Sequence, residues 1–82
     1  MTALTVYVLV RDVDLGYHIE KISLNKEAID RECHERNQAD LRSRAEQYLS
    51  KNPNITMEEA MIKARRDFGG DRYGVEVHEI LD

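Results

Sequence analysis

Eighty-two residues with a formal charge of −4, from 16 acidic and 12 basic side chains, make one domain (1–82) near the lower end of what a single apolar core can hold. An apolar fraction of 41% beside 34% charged residues argues against a disordered chain, and the acidic balance argues against a general phosphate-backbone binder. Cys33 is the sole cysteine and can form neither an internal disulfide nor a thiolate cluster; the longest apolar run, Val6 to Val10, is too short to span a bilayer and follows no basic leader, so a cytoplasmic, membrane-free protein is expected.

Leu4 to Arg11 (LTVYVLVR) is rich in β-branched and aromatic residues and reads as the first strand. Leu4, Val6, Val8 and Val10 share one face, with Tyr7 and Leu9 on the other. Apolar residues on both faces predict a central strand, or one whose second face meets a partner. Asp12 to Gly16 forms the connecting turn, and Tyr17 to Leu24 (YHIEKISL) is the second strand. Its pattern changes phase, because Tyr17 and Ile19 alternate together while Ile22 and Leu24 have the opposite parity. A bulge near Glu20–Lys21 would reconcile the two pairs.

Asn25 is placed to cap a helix running from Lys26 to about Ser50, with Ile29, Cys33, Leu41, Ala45, Tyr48 and Leu49 as its apolar stripe. The stripe thins at Asn37 and Gln38, which predicts a bend or break there. Asn52-Pro53-Asn54 ends the helix, since proline disfavours helical geometry in the residue before it. Thr56 and Glu59 have capping-box spacing for a second helix, which buries Met57, Ala60, Met61, Ala64 and Phe68 and stops at Gly69-Gly70. Tyr73 to Leu81 (YGVEVHEIL) alternates again and reads as the last strand.

The predicted class is therefore α+β: a three-stranded sheet in the order β-β-α-α-β, with two helices packed on one face. The preferred arrangement puts the first strand in the middle and the last strand parallel to it through a right-handed crossover. A fully antiparallel sheet with the second strand central is the alternative.

Histidine titrates near neutrality and ligates metals, so His18, His34 and His78 are tested first. His34 falls on a helix, and His18 and His78 could meet only if their strands were neighbours. None has the i, i+4 pairing of a helical metal site, so neither a metal nor another cofactor is expected. Cys33 and His34 point about 100° apart on a helix, and Cys33 lies on the apolar stripe, where an inert thiol is expected. No serine sits in a nucleophile-elbow sequence, and Glu32/Glu35 and Glu58/Glu59 fall on solvated helix faces. No catalytic residues and no enzyme activity are expected. Between Arg65 and Arg72, three arginines (Arg65, Arg66 and Arg72) flank two glycines whose backbone could donate to a phosphate. Phosphate-binding glycine loops normally precede a helix, whereas these follow one, so nucleotide or nucleic-acid binding ranks second.

An interaction surface ranks first. Tyr7 and Leu9, with Ile80 or Ile22, are expected to form an apolar patch on the sheet face that the helices leave bare. A small chain with a sparse core gains by burying such a patch in a homodimer or against another protein. The outer strands add edges for strand pairing, and Glu20, Glu76, His78 and Glu79 complete the expected contact set, the carboxylates steering a basic partner.

The segment YHIEKISLNKEAIDRECHERN (Tyr17 to Asn37), preceded by TVYVLVRD and followed at the end of the chain by YGVEVHEILD, resembles a group of small proteins of phages and prophages. Their pattern is a strand, a "Y-H-I/V-E" strand, a helix containing "K-E-A" and a closing acidic strand. The resemblance implies a non-enzymatic accessory protein that docks on a host protein, such as a component of antiviral defence, and modulates or inhibits it in the host cytoplasm. It supplies no catalytic residues.

Overall fold

The computed structural model describes residues 3–13, 16–68 and 71–81, with Phe68 described by its backbone only. Its elements are β1 (Ala3–Val13), β2 (Gly16–Ser23), α1 (Lys26–Lys51), α2 (Met57–Phe68) and β3 (Tyr73–Leu81). The sheet order is β2-β1-β3, so the strand that is apolar on both faces is the central one. Both neighbours run antiparallel to it.

The orientation of β3 corrects the expected parallel crossover, and helix length explains why. α1 is unbroken over 26 residues, about 39 Å. It starts beside the Tyr7–Ser23 pair, passes the Arg11–Tyr73 pair with Asn37, and carries the chain well beyond the sheet. The 12 residues of α2 span about 18 Å and return the chain only to that same end. β3 must therefore begin opposite Arg11 and run back toward Ala3.

The predicted break at Asn37 is absent, and the polar gap in the stripe has another use. Asn37 Nδ2 donates to the Tyr73 carbonyl at 3.1 Å, and the Tyr73 N–H donates to Asn37 Oδ1 at 2.9 Å. The helix caps follow the sequence: Asn25 Oδ1 accepts from the Ala28 N–H at 3.1 Å, and Thr56 Oγ1 accepts from the Glu59 N–H at 3.1 Å.

Among the described residues only α1 covers the sheet, which corrects the expectation that both helices pack on one of its faces. Among the described residues α2 meets α1 and no strand, along a seam where Ala45, Ala60 and Ala64 are fully enclosed. Small residues there let the two helix axes approach closely. The result is an elongated molecule of 61 × 27 × 15 Å with a radius of gyration of 16.4 Å. A compact domain of this length would have a radius near 12 Å. The solvent-accessible surface of 6309 Å² likewise exceeds the roughly 5,100 Å² usual for a folded monomer of this mass.

Candidate functional site

Strand register assigns each side chain of the sheet to a face. On β1, Tyr7, Leu9 and Arg11 lie with Lys21, Ser23, Tyr73, Val75 and Val77. Val8 lies with Ile22 and Glu76, Val10 with Ile19 and Gly74, Val6 with His78, and Leu4 with Ile80. The bulge decides where the β2 residues go. Leu9 pairs with Lys21 and Val10 with Ile19, leaving Glu20 as the extra residue, as the phase change predicted. Tyr17, Ile19 and Ile22 are thereby brought to one face, while Glu20 and Lys21 both turn to the other.

α1 lies on the Leu9 side, held by a belt of charges. Arg11 Nε stands 3.0 Å from Glu20 Oε1, Arg36 Nη1 lies 3.4 Å from Glu20 Oε2, and Lys21 Nζ is 3.1 Å from Glu32 Oε2. The Arg36 guanidinium also sits 5.7 Å from the centre of the Tyr73 ring, within cation–π range. The Glu32 carboxyl is held below its ordinary value, first by the contact from Lys21 and then by the charges of Lys21 and Arg36, against the opposing effect of burial. Leu9 on this side and Ile29 of α1 are the largest fully buried side chains, 0% and 1% exposed, so the Leu9 side is the packed one.

The opposite side is bare. Among the described residues no element lies over the face that carries Val6, Val8 and Val10. Those three valines form a buried cluster in the central strand, shielded at their flanks by the outer strands. Around them Tyr17 is 67%, Ile19 64% and Ile22 61% exposed, with Leu4 and Ile80 about half exposed at the far end. Charge is sparse on this face. Glu76 and His78 stand side by side on β3 with Glu76 Oε1 and His78 Nε2 3.1 Å apart. A contiguous apolar area of this extent exceeds the scattered hydrophobes that ordinary surfaces carry.

The expected contact residues are distributed accordingly. Leu9 is sealed in the core and Tyr7 is half-buried, so the bare face is the valine face and not the Tyr7–Leu9 face. Ile22 and Ile80 do lie on it, as do Glu76 and His78. Glu20 is occupied by Arg11 and Arg36 on the helix side, and Glu79, paired with Thr5, is exposed on that same side. Ile19, Tyr17 and Gly74 were missed. The signal for the two β2 residues was the phase change itself, which, once resolved as a bulge, aligns them with the valines.

The other sequence candidates separate. His18 and His78 lie on the two outer strands and on opposite faces, paired with Arg11 and Val6 respectively, so they do not converge. Burial raises the Cys33 thiol above its ordinary value, with the carboxylates of Asp71 and Asp30 adding to the effect. That is the reverse of what a nucleophilic thiolate needs. Arg65 and Arg72 share a cleft with Arg44, Asp40 and Asp71, and Asp40 pairs with Arg44 at 3.2 Å and with Arg72 at 4.0 Å. Arg66 turns outward beside Asp67 at 4.0 Å. Carboxylates thus already pair with Arg66 and Arg72, where an anion would bind, and Gly69 and Gly70 lie outside the described residues. No helix among the described residues is long and apolar enough to cross a membrane.

Comparison with protein-family models, with curated proteins and with solved structures finds no match to this chain.

Proposed function

We propose that this chain is a non-enzymatic protein-binding module whose contact surface is the open face of its sheet. The observation that carries this reading is the bare face around Val6, Val8 and Val10, ringed by exposed Tyr17, Ile19 and Ile22. With one helix on one side of the sheet, the rim of the other face (Leu4, Tyr17, Ile19, Ile22 and Ile80) stays in water, and covering it with another protein recovers the hydrophobic free energy that the fold itself leaves unused. The sparse charge of the face suits association with an apolar surface, since few ionised groups would have to be stripped of water on docking. In the setting implied by the resemblance to phage accessory proteins, the chain acts on a host protein by binding it, and the outer strand edges remain available for that contact.

The test is a double substitution on the face, Ile19→Glu with Ile22→Glu. Both side chains are largely exposed, so the variant is expected to fold, as read by an unchanged circular dichroism spectrum. Wild-type and variant protein immobilised in parallel are exposed to host extract, and any protein retained only by the wild type is purified and its binding measured directly. Identical binding of that protein by both forms refutes the role of the face.

A further inference from the structure

Gly74 lies on the β3 edge of the open face, next to the central strand, with no reason supplied by its own chain. It lies in β3 beside Val10, its φ is outside the left-handed region, and a Cβ built on it would meet only Val10 Cγ2, at an ordinary 4.0 Å. A side chain would therefore fit, and glycine inside a strand costs roughly 0.5–1 kcal/mol relative to alanine. Where neither backbone nor space demands it, strand glycine marks a place that another chain approaches closely. Gly74 lies in a hollow lined on this face by Val10, Tyr17 and Glu76, with Asp12, Asp71 and Arg72 at its hairpin end. Across β1, on the opposite edge of the same face, Ile19 and Ile22 stand out as projections.

A projection on one edge and a hollow on the other, with an apolar row between them, match each other under a two-fold rotation about an axis along β1. That is the condition for an isologous contact, in which one patch serves both partners. We infer that the open face is covered by a second copy of this chain, stacked sheet on sheet, with Ile19 of each copy seated over Gly74 of the other. The inference rests on the protein-binding reading above and names the partner. Two facing sheets packed about 10 Å apart would then form a four-layer helix–sheet–sheet–helix sandwich. The contact would cover Leu4, Tyr17, Ile19, Ile22 and Ile80, each about half exposed or more, on a face of three strands about 4.8 Å apart that measures roughly 14 Å by 30 Å. The charges of this face gather at its hairpin end, where Asp12 and Asp71 line the hollow together with Arg72, while Glu76 stands beside His78.

Sedimentation equilibrium reads the outcome. The wild type is expected at twice the 9.6 kDa chain mass, and the Ile19→Glu/Ile22→Glu variant at 9.6 kDa with an unchanged circular dichroism spectrum. Gly74→Val is the sharper probe, because β-branched valine favours the strand yet fills the hollow. It is expected to weaken self-association about tenfold or more while leaving the isolated chain at least as stable. A wild type that stays monomeric at its highest soluble concentration overturns the second copy as occupant. If in that case a purified partner still loses affinity for Ile19→Glu/Ile22→Glu, the protein-binding reading survives and only the occupant is wrong. A wild-type dimer indifferent to all three substitutions overturns the inference by locating the interface elsewhere. A dimer weakened by the isoleucine changes but not by Gly74→Val overturns the proposed register.

Discussion

The two faces of β1 carry side chains of similar character and meet opposite fates. Leu9 is sealed under α1, whereas the Val6, Val8 and Val10 row on the reverse has only its neighbours in the sheet for cover. Hydrophobicity alone would have assigned these roles the other way round, since the valine row is the longer. What separates them is polar: Glu20, Lys21 and Arg11 all project on the Leu9 side, where Glu32 and Arg36 of α1 meet them. A helix settles on the sheet face whose rim matches its own charges, and the greasier side is left without a helix among the described residues.

That contrast can be tested by damaging each side in turn. Leu9→Ala removes a fully enclosed side chain and leaves a cavity under α1, so a loss of about 2–5 kcal/mol in urea unfolding is expected. Asn37→Ala strips the Tyr73 N–H and C=O of partners in a half-buried position, for an expected loss of about 1–3 kcal/mol and faster amide exchange at the start of β3. Ala60→Leu forces bulk into the seam between α1 and α2 and should cost about 1–3 kcal/mol, but without touching the sheet faces or self-association. On the open side, Ile22→Ala should change the stability of the dilute chain by no more than about 0.5 kcal/mol while weakening association. An equal loss from Leu9→Ala and Ile22→Ala in dilute protein would erase the distinction between the faces.

The smallest expected effect is on acid stability. The folded Glu32 carboxyl lies below its ordinary value near 4.5, so its contribution is present above that pH and lost as the pH falls through the lower folded value. Glu32→Gln should therefore flatten the acid limb of the stability profile below about pH 5 and leave the neutral region nearly unchanged. The same acid slope in both proteins would mean the charge belt does not hold α1 in place.

The strand and helix order was legible from alternation, capping residues and the glycine and proline stops, because each of those is a local property of the chain. The bulge was legible too, since a phase change within Tyr17 to Leu24 admits few solutions. Strand direction was not. It depends on how far α1 overshoots the sheet and how far α2 returns, which is a matter of helix continuity at Asn37, a residue that reads as a breaker until its partner Tyr73 is known. The site was half legible for the same reason. Surplus greasy surface on β1 could be read from the residues, but which side α1 takes depends on ion pairs between different elements, the widest of them joining Glu20 to Arg36.

The clasp between Asn37 and Tyr73 also has a consequence in time. The β1–β2 hairpin and the α1–α2 pair join neighbouring stretches of chain, whereas β3 must find β1 across some sixty intervening residues. Closing so large a loop is slow and is rewarded only when it is complete. By fixing the first residue of β3 from the midpoint of α1, Asn37 supplies an anchor from which the remaining ladder can zip. Weakening that anchor should therefore retard refolding more than it hastens unfolding.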